Sequence, residues 1–101
     1  MRIEESDKGT DLILHLDGSF DEMSSPLVEE KLDKVFSGEA ERIFFDLTKV
    51  KYISSAGIRV LIMAHKRAVK NGKIVGMAEM SDKVKEILNM VGILPLFVEN
   101  N

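Results

Sequence analysis

The run Ile53-Ser54-Ser55-Ala56-Gly57-Ile58-Arg59-Val60 concentrates the groups of this chain that could do chemistry. Its paired serines fall where a β-type apolar run gives way to helical spacing, with a glycine just behind them. A helix start presents unpaired backbone N–H groups and the positive end of the helix dipole, which together favour an anion. A serine there can cap the helix, or it can accept a phosphate that the helix end then accommodates. It is poorly provided for as a nucleophile. The turn is not Gly-x-Ser-x-Gly, and no Ser–His–acid set can be ordered from the positions of His15 and His65. No grouping of His, Asp and Glu has metal-ligand spacing, and without cysteine there is no thiolate ligand, thiol nucleophile or disulfide. No catalysis, metal or cofactor is therefore expected.

Arg59 stands four residues after Ser55, on the same face of the expected helix, where it can pair with a phosphate. Gly57 permits close backbone approach in the first turn. Of the methionines, Met63, Met77 and Met90 lie in periodic segments and read as core filling, whereas Met23 and Met80 lie near loop ends and read as interface residues.

The elements that must position these groups follow from the periodicity. A short strand over roughly residues 2–6 turns at Gly9-Thr10 into a second, Asp11–Leu16, which Asp17-Gly18 is expected to break before a loop at Ser19-Phe20-Asp21. Ser25 before Pro26 predicts an N-cap, and Val28, Leu32, Val35 and Phe36 form the buried stripe of a helix closed by Gly38. Arg42–Leu47 reads as a central strand, with a turn at Thr48-Lys49. Ile58, Leu61, Ile62, His65 and Val69 mark the buried face of the second helix, which Asn71-Gly72 ends. After a strand at Lys73–Met77, Ser81 caps a third helix that buries Val84, Ile87, Leu88 and Val91 and stops at Gly92. Leu96–Val98 reads as a last short strand after Pro95. The order β-β-α-β-α-β-α-β predicts an α/β domain: a mixed, largely parallel sheet of about five strands with an opening hairpin, packed with three to four helices. In such sheets function lies beyond the strand C-termini, which places the 17–23 loop beside the 49–57 turn.

Size and charge narrow the function further. The 101 residues are 45% apolar and 31% charged, enough for one domain over residues 1–101 but not for an elaborate cleft as well. A net charge of −3, with lysines and arginines scattered, argues against nucleic acid and anionic membranes as partners. No apolar run approaches the ~18 residues that span a bilayer, and residues 1–5 carry no signal-peptide core; a cytoplasmic location is expected.

Asp46-Leu47-Thr48, Val50, Tyr52-Ile53 and Ser54-Ser55-Ala56-Gly57-Ile58 follow one another as in the STAS domain, specifically the bacterial anti-sigma factor antagonists. Leu16-Asp17-Gly18-Ser19-Phe20-Asp21, Asn71-Gly72-Lys73 and Met90-Val91-Gly92-Ile93 extend the resemblance over nearly the whole chain. It implies a STAS-type fold and a partner switch. The unphosphorylated protein would bind an anti-sigma factor that is itself a serine kinase, freeing the sigma factor. Phosphorylation of the serine matching Ser55 would end binding, and a PP2C-type phosphatase would reset it. The resemblance also implies partner contacts at Asp21, Ser54, Ala56 and Gly57. Arg59, which stands where the family often has a small residue, joins them through its place beside Ser55, and a monomer or weak homodimer is expected. Ser54 stands where the family pattern has aspartate, which makes it a second candidate phosphoacceptor. The alternative functions are a STAS scaffold or regulatory subunit in another partner-switching or transporter-associated system, and a small hydrolase using Ser55.

Overall fold

The computed structural model describes residues 1–99. Strand β1 (Arg2–Lys8) turns back into β2 (Asp11–Phe20), and α1 (Ser25–Phe36), β3 (Arg42–Ile53), α2 (Ser55–Lys70), β4 (Ile74–Met80) and α3 (Asp82–Met90) follow. A 3-10 turn at Leu94–Leu96 leads to β5 (Val98–Glu99). The strands form one sheet in the order β1-β2-β3-β4-β5, with β1 antiparallel to β2 and every later pair parallel. The expected mixed sheet with its opening hairpin is present, packed with three α-helices.

Each crossover advances one strand in the same direction, so right-handed connections bring all the helices to one face. There Leu14 and Leu16 of β2, Phe45 and Leu47 of β3, and Val75 and Met77 of β4 pack in one cluster with Val28 of α1, Leu61 of α2 and Leu88 of α3. Fully burying each large side chain contributes about 1.5–3 kcal/mol. Strand alternation sends the residues between them, His15 and Asp46 included, to the face without helices.

Several local expectations are corrected. Asp17-Gly18 does not break β2, and Thr48-Lys49 is not a turn; both lie within long paired strands. The register inserts one extra β3 residue between the His15–Asp46 and Asp17–Lys49 pairs, and another between Gly18–Val50 and Ser19–Tyr52. Bulges absorb the irregularity that looked like a break, helped by Gly18 at φ 124°. They also explain why Leu47, Val50 and Ile53, three apart, all face the core.

Ser24, not Ser25, is the N-cap of α1. Val69, Val91, Met63 and Met90 are exposed rather than buried, because the sheet accepts a narrower stripe of each helix than the apolar pattern offered. Of the methionines assigned to the core, Met77 alone is buried there. His65, placed on the buried face, is half-buried, with its ring edge-on to Phe97 at 6.0 Å. The last strand begins at Val98, since Leu94–Leu96 closes a 3-10 turn through Pro95.

Candidate functional site

The end of β3 is tied to the end of β2 where Ser54 N donates to Phe20 O at 2.9 Å. Ser54 is extended (φ −90°, ψ 175°), and its carbonyl accepts the first helical bond of α2, from Ile58 N at 2.9 Å. Ser54 is only 7% exposed, and its Oγ accepts from Gly57 N at 3.5 Å. Ser55 is the first helical residue and is exposed. The serine pair is thus split, with Ser54 turned inward as the cap and Ser55 turned out to solvent. Ser54→Ala is expected to cost about 0.5–1 kcal/mol, the low end for N-caps because this bond is long. A urea titration of the variant checks it.

Gly57 is buried against the strand ends. A Cβ there would lie 2.6 Å from Phe20 O, 2.9 Å from Ile53 Cγ1 and 3.0 Å from Phe20 Cδ1. The helix start is therefore pressed onto the sheet edge, as the expected close approach required. Ala56 beside it is half-buried.

Asp21 begins one residue after Phe20, so the expected neighbouring of the two loops holds. Its Oδ1 accepts from Met23 N and Ser24 N, both at 3.1 Å, and Ser24 Oγ accepts from Asp21 N at 2.9 Å. Ser25 Oγ donates to Asp21 O at 2.6 Å. This Asx-type turn carries the chain from β2 into α1. Met23 on the turn is 89% exposed, and Tyr52, paired with Ser19 at the same sheet end, is also exposed. Met80, the other methionine expected at an interface, is instead partly buried and packed against the core.

Along α2, Ser55, Arg59 and Met63 recur at four-residue spacing, and all are exposed. Arg59 forms no ion pair among the described residues. The first turn of α2 contains no acidic residue, so no carboxylate offsets its positive end. The surface thus combines one accessible hydroxyl, one cation and exposed apolar side chains around a helix N-terminus.

A polar cluster on the helix-free face escaped sequence reasoning. His15 Nδ1 lies 2.7 Å from Asp46 Oδ2, His15 Nε2 lies 2.8 Å from Ser6 Oγ, and Asp46 Oδ1 accepts from Thr48 N at 3.0 Å and Thr48 Oγ1 at 2.8 Å. A Ser–His–acid set is therefore present, contrary to expectation, although it does not include Ser55. Its members come from three strands, and only the register that aligns His15 with Asp46 brings them together.

Burial alone would raise the Asp46 carboxyl; the hydrogen bonds from His15 and Thr48 outweigh it and hold the group below its ordinary 3.8. A lowered folded-state value adds stability that is present above the ordinary value and lost as the pH falls through the lowered one. Asp46→Asn is expected to melt below the parent at neutral pH and to converge with it in acid; melting curves across that range check it.

Among the described residues no grouping of His, Asp and Glu is placed to hold a metal ion, and no helix is long and apolar enough to cross a membrane.

The STAS domain family model matches residues 2–101. The chain is 30% identical over 87 residues to BtrV of Bordetella bronchiseptica, assigned as an anti-sigma factor antagonist, covering 85% of this chain and 74% of that one. The structure resembles the anti-sigma factor antagonist SpoIIAA in its unphosphorylated form, with a TM-score of 0.82 at 13% identity over 99% of this chain and 89% of that one. It also resembles a sulfate transporter family protein from Wolinella succinogenes, with a TM-score of 0.74 at 21% identity over 85% of this chain and 70% of that one. At those identities the structural likenesses show a shared fold. The family model and the BtrV match go further: the chain belongs to the STAS domain family, among the anti-sigma factor antagonists.

Proposed function

We propose that this protein is a phosphorylation-switched binding module. Unphosphorylated, it binds an anti-sigma factor that is a serine kinase, and so releases the sigma factor in the cytoplasm. The kinase phosphorylates Ser55, the complex separates, and a PP2C-type phosphatase restores the hydroxyl. Asp21, Ser54, Ala56, Gly57 and Arg59 surround that contact.

The observation that carries this reading is the division of labour within the serine pair. Ser54 is buried and caps α2, while Ser55 projects into solvent from the first position of the same helix. A kinase needs an accessible hydroxyl, and a helix N-terminus tolerates the phosphate that results. The protein is incubated with its cognate anti-sigma kinase and ATP, and the modified peptide is sequenced by mass spectrometry. Phosphate on Ser55, absent from Ser55→Ala, is the expected result. Phosphate on Ser54, or an unmodified chain, overturns the assignment.

A further inference from the structure

The geometry points to a second reactive site: Ser6, His15 and Asp46 form a base-activated serine on the helix-free sheet face, able to accept an acyl group from small uncharged esters. It is independent of the switch at Ser55. Ser6 pairs with Ile13 and Ser54 bonds to Phe20, which separates the two sites by roughly 20 Å along β2.

The hydrogen-bond chain has a defined polarity. The ionised Asp46 carboxylate can only accept, so the proton of the neutral imidazole sits on Nδ1. The lone pair of Nε2 then faces the Ser6 hydroxyl at 2.8 Å. Thr48 immobilises the other Asp46 oxygen through its backbone N–H and its hydroxyl, which fixes the carboxylate that orients the ring. Nucleophile, base and orienting acid are thus each held by the next, as base-activated serines require.

Ser6 and His15 are half-exposed and open onto a hollow of about 410 Å³, large enough for a short ester. Glu4, Glu5 and Asp17 join Asp46 around it, against Arg2 and Lys49, so the lining is net acidic and disfavours anionic substrates. Arg2 is paired with Glu4 at 2.7 Å, whereas Lys49 has no ion pair among the described residues.

In the reaction Ser6 Oγ attacks the carbonyl carbon while its proton passes to His15 Nε2. The Oγ–acyl bond forms, the ester C–O bond breaks, and the Nε2 proton leaves with the alcohol. Water, deprotonated by the same nitrogen, then hydrolyses the acyl-serine to the carboxylic acid and free Ser6. Base activation acts here without a preorganised pair of oxyanion donors, so turnover is slow and the acyl-serine is the species to detect.

The test treats the full chain with p-nitrophenyl acetate, follows nitrophenolate release at neutral pH, and maps acetylated peptides by mass spectrometry. Acetyl on Ser6 is expected, with release about tenfold faster than from Ser6→Ala. His15→Gln is expected to match Ser6→Ala, with circular dichroism confirming that both variants are folded. Acetyl confined to lysines and the N-terminus, or equal release from Ser6→Ala, overturns the proposal.

Discussion

Phosphate on Ser55 is expected to weaken binding to the anti-sigma partner more than about a hundredfold while leaving the free protein folded. Ser55 is exposed, so the phosphate displaces nothing from the core. It arrives at the start of a 16-residue helix whose first turn carries no acid, with Arg59 one turn further along the same face. The isolated domain therefore accepts about −1.5 to −2 charges at little cost. A packed interface does not, because the phosphate would lose water without gaining enough partners, and a penalty of ~3 kcal/mol already exceeds a hundredfold. Titration calorimetry of phosphorylated and unmodified protein against the partner checks the loss. Melting curves of the two free forms check that it arises at the interface. Ser55→Ala is expected to bind as the parent does and to resist inactivation. Ser55→Asp should fall between, since one carboxylate imitates phosphate poorly.

Gly57→Ala is expected to cost about 3 kcal/mol, the upper end for overpacking. The added methyl would sit 2.6 Å from Phe20 O, and that carbonyl is held by its bond to Ser54 N. Backbone is on both sides of the clash, so no flexible side chain can yield. The helix start must lift from the strand ends, loosening the Ser54 cap and displacing Ser55. At about 4–8 °C per kcal/mol for a domain of this size, the melting temperature should fall by more than about 10 °C. Affinity for the partner should fall with it. A variant that melts within a few degrees of the parent would show that the helix start can move cheaply, and that Gly57 does not fix the position of Ser55.

The order of elements was legible because each carries its own local signal. Apolar runs marked the strands, helical spacing and Ser81 marked the helices, and Gly38, Gly72 and Gly92 marked their ends. Right-handed crossovers then left little freedom in how strands alternating with helices could be arranged. The misreadings share one cause. Asp17-Gly18 and Thr48-Lys49 look like breaks in isolation, yet pairing between β2 and β3 continues past them as bulges, which only the two strands together determine. Val69, Val91, Met63 and Met90 fit apolar stripes, but which part of a stripe is buried depends on how the helix is rolled against the sheet.

The same division runs through the sites. Two hydroxyls at a helix start with a glycine behind them were legible in the chain alone, because capping and helix polarity are local. Tertiary structure decided that Ser54 turns inward and Ser55 outward, since that depends on where Phe20 meets the end of β3. It alone assembled Ser6, His15 and Asp46, whose alignment exists only once β1, β2 and β3 have paired in register.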